Sequence, residues 1–225
     1  MATMPAAPDS GQSPTDDTPA GPGHWFATVA GRAVLDSEAG VVADAISAMP
    51  AQPWLWLAPP GAPACDRPSG RGLHLNADGS SWQGAVRCAL PWPLASECCG
   101  TVVLQHVLRP GDQARPLLEE CARVLAPGGS LWVLVLNPLA PYRWRWRRQG
   151  LHAAEPLGWR RRLRQAGLSP ASMSQGIGPR WQVIPDRELQ DGPGLRAAYV
   201  LRADKRNLPM TLRRSPTLRL AGAIS

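Results

Sequence analysis

Between Gly100 and Pro138 the spacing of apolar residues changes period twice. Gly100-Thr-Val-Val-Leu-Gln105 is a short β-branched run, as in a strand covered on both faces. From about Arg115 to Leu125 the period lengthens: Leu117, Leu118, Cys121, Ala122 and Leu125 fall on one helical stripe, with Pro116 in the first turn. Pro127-Gly128-Gly129 stops that helix, and Ser130-Leu-Trp-Val-Leu-Val-Leu136 is again a buried strand. Strand, helix and strand in this order make one right-handed βαβ unit.

Upstream, the spacing predicts a helix over 37–49, capped by Asp36 or Ser37, with Val41, Val42, Ala45, Ile46 and Met49 facing inward. A first strand follows at 53–58, and Pro59-Pro-Gly-Ala-Pro63 breaks it. A second strand is expected at 72–76. The gap before it is too short for an ordinary crossover helix, so that helix should be shortened or absent. A third strand near 82–88, a helix over 158–166 closed by Gly167, and two late strands near 180–184 and 196–202 complete the pattern. This describes an α/β Rossmann-like domain: a mostly parallel central sheet with helices on both faces.

Composition adds boundaries. Residues 1–23 are rich in Ala, Pro, Ser, Asp, Gly and Thr and read as a disordered tail, leaving a domain at 24–206 and a second tail at 207–225. No window approaches the roughly 18 apolar residues that span a bilayer, and the N-terminus does not read as a secretory signal. A cytoplasmic bacterial monomer is the expectation. Five cysteines (Cys65, Cys88, Cys98, Cys99, Cys121) lack metal-pair spacing and the histidines are scattered, so reduced thiols and no metal are expected.

Charge is segregated. Residues 1–140 carry 7 basic and 12 acidic side chains and residues 141–225 carry 17 and 5, so the net +7 arises wholly in the last part. Its densest stretch is Tyr142-Arg-Trp-Arg-Trp-Arg-Arg148, where guanidinium and aromatic groups alternate. Arginine pairs with phosphate or carboxylate and stacks on rings, which suits nucleic acid or another anionic ligand. The same alternation also suits an amphipathic cover lying on the sheet.

The string His106-Val-Leu-Arg-Pro110, followed by Leu117-Leu-Glu-Glu-Cys-Ala-Arg-Val-Leu-Ala-Pro-Gly-Gly129, resembles the second half of class I S-adenosylmethionine-dependent methyltransferases. Trp25-Phe-Ala-Thr-Val-Ala-Gly-Arg32, Asn137-Pro138 before an arginine-rich turn, Tyr199-Val-Leu-Arg-Ala-Asp-Lys-Arg206 and Met210-Thr-Leu212 are similar to the small type 11 methyltransferase-like proteins of proteobacteria. That likeness runs from Trp25 to about Arg214.

The resemblance implies S-adenosyl-L-methionine as cofactor. It sets Ala58 and Gly61 in the loop after the first strand, Asn76 or Asp78 at the ribose, Leu90 and Pro91 at the adenine, and Gln105 and His106 beside the sulfonium. His106 is then the candidate base toward the acceptor. Asn137, Arg143, Arg145 and Arg147 would meet that acceptor at the mouth. Four positions depart from the family pattern. The first loop has one glycine and three prolines, and Asn76 stands where an acid is usual. Val86 or Arg87 replaces the adenine-binding aspartate, and Gly100 replaces the acid that opens the fourth strand. Two other readings follow: an inactive relative serving as a scaffold, or an arginine-driven nucleic-acid binder whose affinity falls with salt.

Overall fold

The computed structural model describes residues 22–62, 70–112 and 114–206. Residues 1–21 of the first expected tail, the whole of the second, Cys65 and the Met210–Arg214 part of the resemblance lie outside these residues, whereas Pro22 and Gly23, expected in the tail, open a short helix.

In chain order the elements are α1 (Pro22–Trp25), α2 (Val29–Ser47), β1 (Trp54–Ala58), β2 (Gly72–Asp78), β3 (Ser81–Gly84), β4 (Arg87–Cys88) and β5 (Cys99–Gln105). Then come α3 (Ala114–Val124), β6 (Leu125–Leu136), α4 (Pro156–Gln165), β7 (Ser169–Pro170), β8 (Gln175–Ile177), β9 (Gln190–Asp191) and β10 (Ala198–Asp204). They form one ten-stranded sheet in the order β4-β3-β2-β1-β5-β6-β10-β8-β9, with β7 also against β10.

Among the described strands the four central ones, β2, β1, β5 and β6, run parallel, and both flanks are antiparallel. Every residue of β1 and β5 is buried, as their unbroken apolar runs require of strands covered on both sides. One face packs α2 through Val34, Leu35, Val42 and Ile46 onto Trp54, Trp56 and Val103. The other packs Leu118 and Cys121 of α3 and Trp159 and Leu163 of α4 onto Leu55, Leu57, Val102 and Leu104. Each such fully buried aliphatic or aromatic side chain contributes about 1.5–3 kcal/mol.

Several expectations need correcting. The helix expected over 37–49 begins eight residues earlier. Its N-cap is Thr28, whose hydroxyl accepts from the Gly31 backbone at 3.2 Å and donates to the Trp25 carbonyl at 2.7 Å. Gly31 therefore lies inside a helix, and a Cβ there would come within 2.2 Å of the Trp25 carbonyl oxygen. After β2 the chain reverses at Gly79 (φ +61) into the antiparallel hairpin β2–β3, and β3 continues into β4, so the single strand expected near 82–88 is two short ones. The described part of the β1–β2 connection, residues 59–62 and 70–71, carries no helix.

The strand expected at 180–184 is absent. Gly176 approaches the carbonyls of Pro193 and Gly192 so closely that β8 pairs with both β9 and β10 and takes up the sheet edge at 175–177. The final strand starts at Ala198, because Arg196 is drawn below the surface by Asp186, Glu188 and the Gly178 carbonyl. The four described cysteines are free thiols, and burial, with Cys98 adding to it, pushes Cys99 up to about 12 and leaves it unreactive.

His74 stacks on Trp56 with ring centroids 4.0 Å apart, and burial holds its imidazole below the ordinary value. The unfolded chain then takes up this proton more readily. Stability from His74 is full above the ordinary imidazole pKa of about 6.5 and is lost as pH falls below it. The denaturation midpoint should decline below that pH, and His74→Phe, which keeps a ring against Trp56, should flatten the decline. An unchanged slope in the variant would assign the acid sensitivity elsewhere.

Candidate active-site cleft

At the carboxyl ends of the parallel strands lies a cleft of about 1260 Å³. Its walls are Pro59–Gly61 after β1, Ala77–Ser80 at the end of β2, and His106–Arg109 after β5. Phe26 and Ala27 roof it from the N-terminal side, and Gly150–His152 close the far rim. Chain connections diverge between β1 and β5, and in open α/β sheets ligands bind at this switch point. A hollow of about 650 Å³ beside α4 is walled only by Glu155 to Arg164 and brings no two distant elements together. The strand-end cleft is therefore the candidate site.

The cleft floor holds a buried polar network. Glu38, fully buried on the inner stripe of α2, accepts from Gln105 Nε2 at 2.8 Å and lies 2.9 and 3.0 Å from His106 Nε2 through its two oxygens. Gln105 Oε1 in turn accepts from Trp56 Nε1 at 3.1 Å. Phe26 stacks on the His106 ring, with centroids 4.7 Å apart. His106 Nδ1 is buried and has no partner within the protein. Its backbone is left-handed, φ +53, where β5 stops. A non-glycine residue in that region carries strain, and such residues gather at functional sites.

The structure brings Gly61, Asp78, Leu90 and His106 together on the cleft wall. Gly61 has φ +83 and faces Ala27, so the loop after β1 leans on the turn that opens α2. Asp78 ends β2 and pairs with the exposed Arg87 at 3.1 Å. The other sequence-based candidates lie elsewhere. Ala58 is buried beneath the loop, and Gln105 is buried below His106. Asn76 sits one residue short of the wall, with its Oδ1 unpartnered among the described residues. Pro91 follows Leu90 through a cis bond, and Trp92 turns into the core, its backbone N–H donating to Glu120 at 2.7 Å. Asn137 spends its amide on the carbonyls of Pro193, Gly194 and Arg196. Arg143, Arg145 and Arg147 lie on a 3₁₀ turn and its extension, outside the cleft wall.

Glu38 and Phe26 were missed in the sequence. A helix begun at residue 37 makes Glu38 an ordinary first-turn acid. Begun at 29, the same helix places it four residues after Val34 and four before Val42, an acid on the apolar stripe. That out-of-place carboxylate is the signal that could have found it.

The sequence matches no known family profile and no curated protein. Solved structures do match. An S-adenosylmethionine-dependent methyltransferase from Thermotoga maritima is similar over 81% of this chain and 94% of its own, at 14% identity and a TM-score of 0.54. The 1,6-didemethyltoxoflavin-N1-methyltransferase of Burkholderia thailandensis, solved with bound 1,6-didemethyltoxoflavin and S-adenosylhomocysteine, is similar over 82% of this chain and 84% of its own, at 14% identity and a TM-score of 0.53. At that identity the likeness establishes the fold: the α/β Rossmann-like fold of class I methyltransferases, with a mixed sheet whose central strands are parallel.

Proposed function

We propose that this protein is an S-adenosylmethionine-dependent methyltransferase of the type 11-like kind, acting on an acceptor whose reacting atom gives up a proton. One observation carries the reading: a strand-end cleft at the switch point of this fold, floored by a histidine that a buried carboxylate orients.

When bound, the cofactor supplies a methyl group already activated on a sulfonium, so the protein has to position, exclude water and handle one proton. The residues present fit it in part. Asp78 offers a carboxylate for the ribose hydroxyls, and Leu90 and Trp82 offer apolar surface for the adenine. Pro59 and Pro60 lack backbone N–H groups, so the loop after β1 contributes only the Gly61 turn. Fewer donors predict weaker binding than a glycine-rich loop would give. Toward the acceptor, Glu38 holds His106 by Nε2 and leaves the Nδ1 lone pair unpartnered but buried, so that taking the acceptor's proton there requires the cleft floor to open.

Calorimetric titration with S-adenosylmethionine and S-adenosylhomocysteine tests this. Saturable heat in the micromolar range, weakened about tenfold or more by Asp78→Ala through loss of a charged hydrogen bond, is the expected result. No heat at millimolar cofactor would instead favour a domain that has kept the fold without the cofactor, consistent with its two loop prolines.

A further inference from the structure

We infer that the face formed by the start of α2, the Tyr142–Arg147 turn and the 180–187 loop docks on an anionic lipid bilayer. The alternating Tyr142–Arg148 stretch divides by side. Tyr142 and Trp146 point inward, both buried, with the Tyr142 hydroxyl donating to the Ala30 carbonyl of α2 at 3.0 Å. Core packing thus accounts for two of the three rings in that stretch. It does not account for Trp144, which is 70% exposed.

Trp144 has exposed neighbours. Arg145 donates from Nη2 to the Trp181 carbonyl at 3.3 Å, tying the turn to a loop whose own Trp181 and Ile184 are 65% and 60% exposed. Val29, next to the Ala30 carbonyl that Tyr142 bonds, is 77% exposed. The 180–187 loop follows α2 as far as Ser37, whose hydroxyl accepts from the Asp186 backbone at 2.9 Å. Eight helical residues separate Val29 from Ser37, so the face extends about 12 Å along α2.

Cations lie among these apolar groups. Arg147 stacks over the Trp144 ring at 3.8 Å, and Arg145 lies over Tyr142 at 5.3 Å. Arg32 and Arg187 flank them and donate to the backbone carbonyls of Ala27 and Asp36. None of these four guanidinium groups has a carboxylate partner among the described residues. The acids of the 180–187 loop and its edge, Asp186 and Glu188, are instead turned to the buried Arg196.

Exposed tryptophan, aliphatic side chains and unpaired arginine together match the headgroup boundary of a bilayer. There indole rings prefer to sit, apolar groups gain by leaving water, and guanidinium groups meet lipid phosphate. A nucleic acid would use the rings and the arginines, but would gain nothing from Val29 and Ile184. The charge requirement selects anionic lipid, to which each basic side chain near the surface adds about fivefold in affinity. Gly150–His152, only a few residues beyond the turn, form a rim of the cleft.

Sedimentation of the full chain with vesicles decides this, and needs no cofactor or acceptor. Binding to phosphatidylcholine vesicles containing phosphatidylglycerol, much weaker binding to phosphatidylcholine alone, and loss at high salt are expected. The double variant R145Q/R147Q should weaken binding by about 25-fold. Trp144→Ala with Trp181→Ala, both at exposed positions, should weaken it by at least about tenfold while the unfolding midpoint stays in place. Equal binding to neutral vesicles, no vesicle binding, or capture of single-stranded RNA in place of vesicles would each overturn the inference.

Discussion

Replacing Glu38 by alanine is expected to lower the folding free energy by about 2–6 kcal/mol, because two buried donors lose the carboxylate that accepts from them. Among the described residues the carboxylate is the partner of both His106 Nε2 and Gln105 Nε2, and all three side chains are buried where α2 covers the sheet. Each stranded donor then carries its desolvation cost of about 1–3 kcal/mol. Urea denaturation of the variant reads the loss directly. A double-mutant cycle of Glu38→Gln with His106→Phe should return a coupling of about 1–3 kcal/mol, since both side chains belong to one network. Additive losses in that cycle would mean that the two are neighbours without being partners, and the positioning of His106 would need another source.

Gly31→Ala should destabilise by about 3 kcal/mol, although alanine is the better helix former by about 1 kcal/mol. A Cβ at this position meets the Trp25 carbonyl oxygen at 2.2 Å and the Phe26 Cα at 2.5 Å. Both obstacles are backbone, which cannot step aside as a flexible side chain can. Relief requires the 25–28 turn to lift from α2. It would take Phe26 off the His106 ring and would break the bond from Trp25 Nε1 to the Arg145 carbonyl. Near-ultraviolet circular dichroism, dominated by buried tryptophan, should change along with the denaturation midpoint. A variant as stable as the parent would show that the turn is not held this closely.

The two variants mark where sequence reading stops. The strands β1, β5 and β6 and the helix α3 were legible because each carries its own period: β-branched runs for strands buried on both faces, a single stripe for a helix on one. Gly61, Asp78, Leu90 and His106 could be placed at the strand ends, where the cleft lies, because each is in or at the edge of a loop beside a strand whose position that period marks. Gly31 carries no such mark. Its actual reason is the close passage of Trp25, a contact that no local pattern records.

The amino-acid order by itself determined the class of fold, the parallel core and the strand-end loops, because burial periodicity is a local property and four apolar strands have few ways to cover one another. Which side chains work together was decided only in three dimensions. Glu38 and His106 are 68 residues apart in the chain, and Arg145 reaches the Trp181 carbonyl across 36. Such pairs arise when a helix and a loop settle on the sheet, and their energies depend on burial that exists only after they have done so.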